Sequence, residues 1–419
     1  MQDPKPHPLM SDVDFDLIII GAGPAGCTTA LCLADSGLRV AVLDKAVLPS
    51  DKVCGDALSG TVMKILQRLP GNYFKEFLEL EPKLPCWGIQ FFAPNGNKLD
   101  IPFVFERRIE TPPPGYICKR KIFDGFLQNK VRELTNIKLM SGFSVKQIIR
   151  ENGCFHVKGE NEVLKSRFII GADGTPSMVG RTLGGQSINH KQYCLGARAY
   201  FKDIKDLHPE QFIELHFLKE LLPAYLWIFP MAEGIANVGL GMLYGKRKTQ
   251  TKSLPAIFQQ IIHSEPTLSR RFAEAKMTGK IEVHGLPLGP SKKSISGEGF
   301  LLTGDAAGLV DPFSGEGIGN AMESGMIAAE IIKEAFVAND YTAKFLSQYD
   351  ERVRKKMGRE LTTSSKIQRL CYHPFLFNLV VGKANRNKEL REVLTKMYTS
   401  QDIRDQLKKP SFYLKMLIK

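Results

Sequence analysis

Apolar runs of strand length alternate with helix-spaced stretches at the start of the chain. Residues 16–20 read Asp-Leu-Ile-Ile-Ile, which is typical of a buried strand, and the first strand is expected to begin at Phe15. Helical spacing follows over residues 28–36 and stops at Gly37, and a second apolar strand is expected over residues 40–43. A strand, a helix and a strand within about 30 residues predict a βαβ unit with parallel strands.

The turn between the first strand and the helix carries a G-x-G-x-x-G pattern at residues 21–26. Gly21 suits the tight turn, Gly23 lets the backbone approach a pyrophosphate, and Gly26 lets the helix pack closely on the strand. The N–H groups at the start of the helix would bind that pyrophosphate, and the helix dipole favours its charge. Asp44, which ends the second strand, can accept hydrogen bonds from both ribose hydroxyls and would repel a 2′-phosphate. The pattern therefore predicts a site for FAD or NAD rather than NADP.

Two further glycine motifs lie far downstream, each after a short apolar strand. Residues 171–174 read Gly-Ala-Asp-Gly, and a strand over residues 300–302 leads to Gly304 and Asp305. A loop rich in proline and glycine follows, and then a helix that is expected to begin near residues 317–318. Taken alone, each motif is also compatible with ordinary turn chemistry.

In this order, the three motifs resemble those of the FAD-dependent oxidoreductases of the aromatic-hydroxylase type, over most of residues 15–335. Residues 120–127 also match that superfamily's R-x-x-F-D-x-x-L helix start, whose arginine contacts the flavin side. Residues 144–150, 154–158 and 162–165 are similar to the small β-meander of its FAD domain. The resemblance implies FAD as the cofactor, bound by a glutathione-reductase-like Rossmann domain.

The resemblance also implies roles for individual residues. Asp305 would bind a ribityl hydroxyl of FAD, the N–H groups of Gly317 and Ile318 would face a carbonyl of the flavin ring, and the backbone of Val145 would meet adenine. No metal is expected, because the chain has no His or Cys cluster at metal-binding spacing. The candidate FAD-binding residues are Gly21, Gly23, Pro24, Ala25, Gly26, Asp44, Lys45, Gly55, Asp56, Ala57, Arg120, Val145, Asp173, Gly304, Asp305, Pro312, Gly315, Gly317 and Ile318.

Two local motifs resemble the geranylgeranyl reductase branch of this superfamily. Residues 52–58, Lys-Val-Cys-Gly-Asp-Ala-Leu, are similar to that branch's CG loop beside the flavin and are called the CG loop below. Residues 225–230 match its Y-x-W-x-F-P motif, and a G-x-G follows at residues 239–241. Halogenases of the superfamily carry W-x-W-x-I-P instead, from which this chain departs at two positions. The candidate catalytic residue is Cys54, as a proton donor or positioning group over the flavin; a packed loop residue is the alternative.

Alternation along the second motif places Tyr225, Trp227 and Phe229 on one face of a strand. Three aromatic side chains in a row form an apolar wall suited to an isoprenoid chain, so these three residues are the candidate substrate-binding residues. They are called the aromatic wall below. An ordinary sheet core is the alternative for each of them.

The predicted fold class is α/β, or α+β overall, with a discontinuous Rossmann-type FAD-binding domain, an antiparallel β-sheet substrate domain and a helical C-terminal region. Breaks in the C-terminal helices are expected near Pro374 and Pro410. The expected bounds are 1–75, 115–182 and 296–335 for the FAD-binding domain, 76–114 and 183–295 for the substrate domain, and 336–419 for the basic helical region. Strands of the substrate domain are expected over residues 87–93, with a turn at 95–96, and over 196–201, 212–217, 225–231 and 235–243.

The composition narrows the class of protein. The 419 residues are 43% hydrophobic and 24% charged, which fits two or three globular domains and excludes disordered and coiled-coil chains. No apolar run reaches the length of a membrane span, and no secretory signal is visible at the N-terminus. The eight cysteines are scattered without a C-x-x-C pair and are expected to be reduced, as in a cytoplasmic protein.

The net charge of +13 is concentrated at the C-terminal end, where residues 341–419 hold 18 Lys and Arg against 7 Asp and Glu. No nucleic-acid-binding pattern accompanies it, so no nucleic acid partner is expected. The same region contains an apolar run over residues 375–381. The hypothesis is that this run caps the substrate tunnel and docks the protein on the anionic inner face of a membrane. The alternative is a lid alone, with charges that only solvate.

The function that these motifs imply is an FAD-dependent reductase of carbon–carbon double bonds in a polyprenyl substrate. Reduced flavin would deliver hydride to one alkene carbon while a nearby acid protonates the other. The electron donor would be NAD(P)H or a ferredoxin, because no second dinucleotide fingerprint is present, and a monomer is expected. One alternative is a flavin monooxygenase, hydroxylase or halogenase that acts on an aromatic compound or a polyene. Another is a non-catalytic prenyl-binding protein of the GDI type. Chlorophyll side chains, archaeal-type lipids, quinone tails and free prenyl diphosphates all remain open as substrates.

Overall fold

A computed structural model describes residues 13–104, 107, 112–247, 251–290, 293–387 and 390–392 of the chain. These residues form eighteen strands in three sheets. In chain order the strands are β1 Phe15–Ile20, β2 Val40–Asp44, β3 Ala57–Leu58, β4 Leu84–Cys86, β5 Gly88–Phe92, β6 Lys98–Pro102, β7 Gly115–Ile117, β8 Ile137–Ser141, β9 Gln147–Glu151, β10 Cys154–Lys158, β11 Val163–Gly171, β12 Tyr193–Lys202, β13 Ile213–His216, β14 Leu226–Pro230, β15 Ile235–Leu243, β16 Lys276–Pro287, β17 Ser296–Gly297 and β18 Phe300–Leu302.

Twelve α-helices accompany these strands within the described residues. Their lengths range from one turn to the 21 residues of the ninth helix. In chain order they are α1 Pro24–Cys32, α2 Gly60–Arg68, α3 Tyr73–Glu79, α4 Arg120–Arg132, α5 Met178–Thr182, α6 Tyr244–Arg247, α7 Leu254–Ser264, α8 Pro266–Arg271, α9 Ile318–Ala338, α10 Ala343–Val353, α11 Arg359–Leu370 and α12 Pro374–Arg386.

The first sheet is a parallel sheet with an antiparallel extension. Strands run in the order β8-β2-β1-β11-β18 with parallel pairing throughout, and β17 adds an antiparallel edge. The first half of β11 pairs instead with β10, and β10 with β9, which forms the meander. Helices α1 and α9 cross closely over this sheet, where the Thr29 hydroxyl donates to the Gly325 carbonyl at 3.1 Å. This arrangement confirms the predicted Rossmann-type architecture.

The second sheet has seven strands in the order β16-β12-β15-β14-β13-β5-β6. Its pairing is antiparallel except between β13 and β5. Helices α7 and α8 cover one face with residues such as Phe258 and Leu268, which pack on Leu226 and Val238. The other face carries a separate apolar cluster that includes Phe229 and side chains of the C-terminal helices. The strands expected for an antiparallel sheet are therefore all present.

The third sheet, β3-β7-β4, is small and antiparallel. Strand β3 lies in the CG loop, so this sheet places that loop directly beside the start of helix α4. The Cys118 N–H donates to the carbonyl of Asp56 at 2.9 Å and extends this contact. The CG loop therefore lies between the parallel sheet and the large antiparallel sheet.

The expected bounds of helix α1 need correction. Helix α1 begins at Pro24 and ends at Cys32, whereas helical spacing predicted residues 28–36. Gly23 is the N-cap and Pro24 takes the first helical position, which has no need of an N–H donor. The segment after Cys32 forms turns rather than helix, closed by the N–H of Ser36 donating to the Leu33 carbonyl at 3.1 Å.

The part of the C-terminal region that the structure describes is helical, and α12 begins at Pro374 as expected. The expected break near Pro410 lies outside the described residues. Among the helices that the structure describes, each is too short or too polar to cross a lipid bilayer. In the same part of the chain, no group of His, Cys, Asp or Glu side chains is arranged to hold a metal ion, and all eight cysteines have free thiols.

Candidate active site

The three glycine motifs meet at the carboxyl edge of the parallel sheet. The N–H of Gly21 donates to the Leu43 carbonyl at 2.7 Å, and the N–H of Ala172 donates to the Ile20 carbonyl at 2.8 Å. On the next strand, the N–H of Thr303 donates to the Gly171 carbonyl at 2.9 Å. Ligands of open α/β sheets bind at this edge. The sequence motifs, which lie more than a hundred residues apart, therefore form one site.

The glycines of the first turn are required for different reasons. Gly21 has a φ of +108°, and a Cβ there would lie 2.2 Å from the Ala172 carbonyl oxygen. A Cβ at Gly26 would lie 1.9 Å from the carbonyl oxygen of Gly21. A Cβ at Gly23, in contrast, would meet no atom within 4 Å. Gly21 and Gly26 are therefore needed by the fold, whereas the space beside Gly23 is open at the start of α1.

Asp44 is held at the end of β2 by two backbone donors. Its Oδ2 accepts a hydrogen bond from the Ala22 N–H at 2.9 Å, and its Oδ1 accepts one from the Ala46 N–H at 2.9 Å. The side chain is half-buried, so the remaining lone pairs of both oxygens can accept further donors. This geometry fits the predicted ribose contact.

Asp305 lies between a lysine of the CG loop and the start of helix α9. The Lys52 ammonium contacts Asp305 Oδ2 at 3.3 Å, and a Cβ on Gly317 would lie 3.4 Å from Oδ1. Burial acts to raise the pKa of the Asp305 carboxyl, but the charge and hydrogen bond of Lys52, with the charge of His284, lower it below its ordinary value. The carboxylate is therefore ionised at neutral pH beside the helix start, where a ribityl hydroxyl was predicted to bind.

Two other predicted FAD-binding side chains make internal contacts. Asp173 caps helix α5, because its carboxylate accepts from the Ser177 hydroxyl at 2.6 Å and from the Met178 N–H at 2.6 Å. The buried guanidinium of Arg120 makes a two-pronged ion pair with Asp124, at 2.7 and 2.6 Å. Both residues lie at the site, but these contacts occupy much of their hydrogen-bonding capacity.

The CG loop packs directly on the aromatic wall. A Cβ on Gly55 would lie 2.9 Å from the Phe229 ring and 3.7 Å from the Trp227 indole nitrogen. Only a glycine lets the loop come this close to the wall. The neighbouring Cys54 side chain packs on the other side, against the core of the parallel sheet. Cys54 therefore lies where the FAD-binding edge and the aromatic wall meet.

The pKa of the Cys54 thiol is set by opposing effects. Burial raises the pKa of Cys54 and the charge of Asp56 adds to the rise, whereas the Arg120 guanidinium and the backbone N–H of Asp56 lower it. Burial has the largest effect, so the pKa stays above the ordinary value of a thiol. At neutral pH the thiol is therefore protonated.

Asp56 is fully buried and has a left-handed backbone with a φ of +64°. Its Oδ2 accepts hydrogen bonds from the Tyr200 hydroxyl at 2.8 Å and the Asn237 amide at 2.7 Å, and its Oδ1 accepts one from the Arg120 N–H at 3.2 Å. Burial raises its pKa to about 6, although these hydrogen bonds and the charge of Arg198 oppose the shift. Sequence motifs predicted a contact with FAD here, whereas the structure turns both carboxylate oxygens towards protein donors.

The aromatic wall is a continuous face of strand β14 and the residue before it. Tyr225, Trp227 and Phe229 pack with the cluster on one face of the large sheet, whereas Leu226 and Ile228 face α7 and α8. This confirms the predicted alternation. The Tyr225 hydroxyl donates to the Ser314 carbonyl, in the loop that precedes α9.

Gly239, the first glycine of the G-x-G motif after the wall, is required for steric reasons. A Cβ on Gly239 would lie 2.2 Å from the Trp227 ring, because the indole lies flat over this position of β15. The indole N–H donates to the Asn237 side-chain oxygen at 2.9 Å. The glycine and the asparagine together set the orientation of Trp227.

The remaining predicted residues lie around the same edge. Ala25 and Gly304 are in contact, with 3.4 Å between the Ala25 Cβ and a Cβ built on Gly304, whose φ is +58°. Pro312 accepts from the Gln368 amide at 2.6 Å, which links this loop to α11. Gly315 has a φ of +71°, and a Cβ built on it would lie 3.3 Å from the Tyr225 hydroxyl. Pro24, Ala57 and Ile318 are parts of α1, β3 and α9, Lys45 is exposed, and Val145 is half-buried at the meander.

Several residues of the site were not singled out by sequence reasoning. Tyr200 and Asn237 contact Asp56. Arg198 contacts Asp51, which precedes the CG loop, and Lys52 pairs with Asp305. Arg198 and Asn237 are polar positions within otherwise apolar strand patterns. Buried polar residues in such strands need partners, and that signal could have identified both.

The residues at this edge fit FAD. The open space beside Gly23 adjoins the first N–H groups of α1, which suits a pyrophosphate. Gln128 donates to the Ala22 carbonyl at 3.0 Å, and its own side-chain oxygen is buried without a partner among the described residues. This oxygen leaves a buried acceptor for a hydroxyl group beside the nucleotide turn. Asp44 and Asp305 supply two further carboxylate acceptors along the edge.

Comparison with protein families gives two matches. The family described as FAD dependent oxidoreductase matches residues 16–58, and the geranylgeranyl reductase catalytic domain matches residues 194–279. The first match covers the nucleotide turn and the CG loop, and the second covers the aromatic wall and its neighbouring strands. The cofactor of this chain is FAD.

Curated relatives cover most of the chain. The digeranylgeranylglycerophospholipid reductase of Methanosarcina acetivorans is 31% identical over 373 residues, which are 85% of this chain and 84% of the relative. The digeranylgeranylglycerophospholipid reductase 2 of Methanopyrus kandleri is 28% identical over 85% of this chain and 87% of its own length.

Solved structures share the fold. A geranylgeranyl bacteriochlorophyll reductase-like protein from Thermoplasma acidophilum matches with a TM-score of 0.76 and 22% identity, over 94% of this chain and 98% of that one. A flavin-dependent brominase matches with a TM-score of 0.72 and 22% identity, over 92% and 93%. At these identities the likeness shows a common fold, which reductases and halogenases share. On the identity to the curated reductases, the chain belongs to the geranylgeranyl reductase family of FAD-dependent oxidoreductases, which reduce carbon–carbon double bonds of prenyl chains.

Proposed function

We propose that this enzyme reduces the double bonds of geranylgeranyl chains carried on a glycerophospholipid. The observation that supports this most is the contact of the CG loop with the aromatic wall, in which Gly55 lies against Phe229 and Trp227. A flat apolar surface there can hold an extended alkene chain beside the FAD-binding edge. The curated relatives named above are reductases of such lipids.

The chain's own residues have three tasks in this proposal. The aromatic wall binds the alkene and excludes water. The Cys54 thiol, which keeps its proton because burial raises its pKa, donates that proton to one alkene carbon, and the adjacent Arg120 stabilises the thiolate that remains. FAD, in its reduced form, supplies the hydride. The residues that chiefly hold FAD in this proposal are Gly23, Asp44 and Asp305.

The domain division predicted from the sequence is part of the proposal. All eight strands of the first sheet fall within residues 1–75, 115–182 and 296–335, and all seven strands of the large sheet fall within 76–114 and 183–295. This distribution supports an FAD-binding domain and a substrate domain with those bounds, and the small sheet joins them. In the described part of residues 336–419, helices α10, α11 and α12 support a third, helical region.

The lipid substrate implies a membrane surface as a partner. Helix α12 packs through Phe377 on Phe217, with ring centroids 4.3 Å apart, while Phe375 on the same helix is 74% exposed. Exposed cationic side chains of Arg369 and Arg386 lie near this exposed aromatic side chain in the sequence. The packed side of α12 supports its role as a cap over the aromatic wall. The exposed side supports docking on anionic lipid at the inner face of the membrane. We expect a cytoplasmic monomer that receives electrons from NAD(P)H or a ferredoxin.

Oxygen dependence distinguishes this proposal from a monooxygenase or halogenase, which would use the same fold. The purified holoenzyme, with flavin bands at roughly 370 and 450 nm, is reduced with dithionite under nitrogen. A geranylgeranyl lipid is then added without oxygen. The proposal predicts that the flavin absorbance returns on addition of the lipid, whereas an oxygen-dependent enzyme would stay reduced. Family membership already excludes the non-catalytic alternative.

A further inference from the structure

The segment that ends in Asp56 is tied to the large sheet by side chains of two paired strands. Arg198 and Tyr200 lie on β12, and Asn237 lies opposite Tyr200 on β15. The Arg198 guanidinium contacts the Asp51 carboxylate at 3.1 Å and lies 4.3 Å from the centre of the Tyr200 ring. The sheet therefore holds the CG loop from one side with a connected set of polar groups.

Asp56 is the centre of this set. Its carboxylate accepts hydrogen bonds from Tyr200, Asn237 and the backbone N–H of Arg120, all of which are neutral donors. A fully buried carboxylate is costly to keep, and its left-handed backbone is unusual for a residue other than glycine. Such features persist where the surrounding structure needs them, so they point to a function of this position.

Asn237 links Asp56 to Cys54 and Trp227 by hydrogen bonds. One N–H of its amide donates to Asp56 Oδ2, and its amide nitrogen also donates to the Cys54 carbonyl at 2.8 Å. Its oxygen accepts from the Trp227 indole at 2.9 Å. Both donors and the acceptor of this one amide are therefore used, and they join Cys54, Asp56 and Trp227.

We infer that Asp56 is a positioning residue that fixes the CG loop, and with it Cys54, beside the aromatic wall through Tyr200 and Asn237, instead of contacting FAD. Only the purpose of this positioning rests on the proposed function: it aligns the proton donor, Cys54, with the alkene. The contacts themselves do not depend on the identity of the substrate. A loss of these contacts frees the CG loop to move away from the wall and exposes the Cys54 thiol.

The reactivity of Cys54 in the full-length holoenzyme tests this inference without turnover. Alkylation by iodoacetamide is followed by peptide mass spectrometry in the wild type, Tyr200→Phe and Asp56→Asn. Asn tolerates a left-handed backbone, so the second variant keeps the loop conformation accessible. We expect Cys54 to be alkylated about tenfold faster in both variants, because each loses a buried hydrogen bond to the carboxylate. We expect the FAD content to be unchanged.

Two controls make the result specific. Asp203→Asn changes an exposed aspartate that also has a left-handed backbone, at a φ of +60°, and is expected to leave the alkylation rate of Cys54 unchanged. Cys194, buried on β12, is the internal reference for global unfolding and is expected to react equally slowly in all variants.

Three results would overturn the inference. The first is a wild-type rate for Cys54 in both variants. The second is a faster rate in Asp56→Asn but not in Tyr200→Phe, because the lost negative charge alone would then explain it through the pKa of the thiol. The third is a loss of FAD from Asp56→Asn, which would restore the contact with FAD that the sequence predicted. An absence of lipid reduction would refute the proposed function and leave these rates as they are.

Discussion

The Tyr200 hydroxyl donates a hydrogen bond to the Asp56 carboxylate at 2.8 Å, and this bond joins the large sheet to the CG loop. The acceptor is a fully buried carboxylate, and burial raises its pKa to about 6. The hydrogen bonds of Tyr200 and Asn237 and the charge of Arg198 act in the opposite direction, and Asp51 adds to the rise. The charge of Arg120 and the protonated Cys54 thiol also lie close to this loop. The ionised form of the buried Asp56 carboxylate therefore costs the folded protein stability.

This cost predicts a pH dependence of stability with a definite sign. The folded pKa of Asp56 lies above its unfolded value, so the folded state binds the additional proton between about pH 4 and pH 6. The contribution of Asp56 to the free energy of unfolding is fully present below about pH 4 and is lost as the pH rises through about 6. The shift corresponds to about 3 kcal/mol. Relative to the wild type, Asp56→Asn is expected to gain stability between pH 4 and pH 7.

Thermal unfolding of both proteins across this pH range measures the effect. Asp203→Asn, an exposed substitution of the same chemistry, is expected to follow the wild type at every pH. A constant difference in melting temperature between Asp56→Asn and the wild type from pH 4 to pH 7 would contradict the raised pKa.

Gly23 is predicted to be required for FAD binding and not for folding. A Cβ there would meet no protein atom within 4 Å, so Gly23→Val is expected to fold, but its side chain fills the space in which a pyrophosphate would bind. We expect the purified variant to have a normal far-UV spectrum and little flavin. Gly245→Val, at another glycine with open space around its Cβ, is the control and should keep its flavin. A folded Gly23→Val protein with full flavin content would disprove the assignment of this turn.

Cys54 is predicted to matter for turnover more than for stability. In single-turnover reduction of a geranylgeranyl lipid, Cys54→Ala is expected to lower the rate about a hundredfold, because a general acid is lost. The free energy of unfolding should change by no more than about 1 kcal/mol, since the side chain is small and only partly buried. Cys154→Ala, on the meander, is the matched control. A lower melting temperature with an unchanged rate per folded enzyme would show that Cys54 is structural.

The exposed side of α12 is predicted to bind anionic lipid. Co-sedimentation with anionic vesicles at low salt should exceed that with neutral vesicles and should fall at high salt. Phe375→Ser is expected to weaken binding about tenfold, because an aromatic side chain no longer enters the interface. Val337→Ser removes an apolar side chain that is 82% exposed at the end of α9, and it should have no effect. Equal and salt-insensitive recovery in the supernatant with both vesicle types would leave only the capping role.

The parts of the fold that the sequence predicts correctly depend on short-range patterns. The glycine turn, its two strands and the start of α9 follow from spacing within about 30 residues. The edge strand Lys276–Pro287 was not predicted, because its side chains are largely exposed or half-buried and show no apolar alternation. The early start of α1 at Pro24 reflects a glycine N-cap that helical spacing alone does not reveal.

The site is predicted less completely than the fold, because its contacts are long-range. Tyr200 lies 144 residues from Asp56 in the sequence, and Asn237 lies 181 residues from it. The aromatic wall could be predicted, since strand alternation is local. The partners of Asp56 could not, since nothing in the local sequence shows which buried polar residue meets which. The predicted FAD contact of Asp56 came from its motif, and its partners became visible only with the sheet packing.

The most direct test of the central claim is the mass of the product formed without oxygen. Wild-type holoenzyme with excess dithionite and a geranylgeranyl glycerophospholipid is incubated under nitrogen, and the extracted lipid is examined by mass spectrometry. We expect the lipid to gain the mass of two hydrogen atoms for each double bond reduced, and Gly23→Val to form no such product. An unchanged lipid under nitrogen, together with an oxygenated or halogenated product in air, would contradict it.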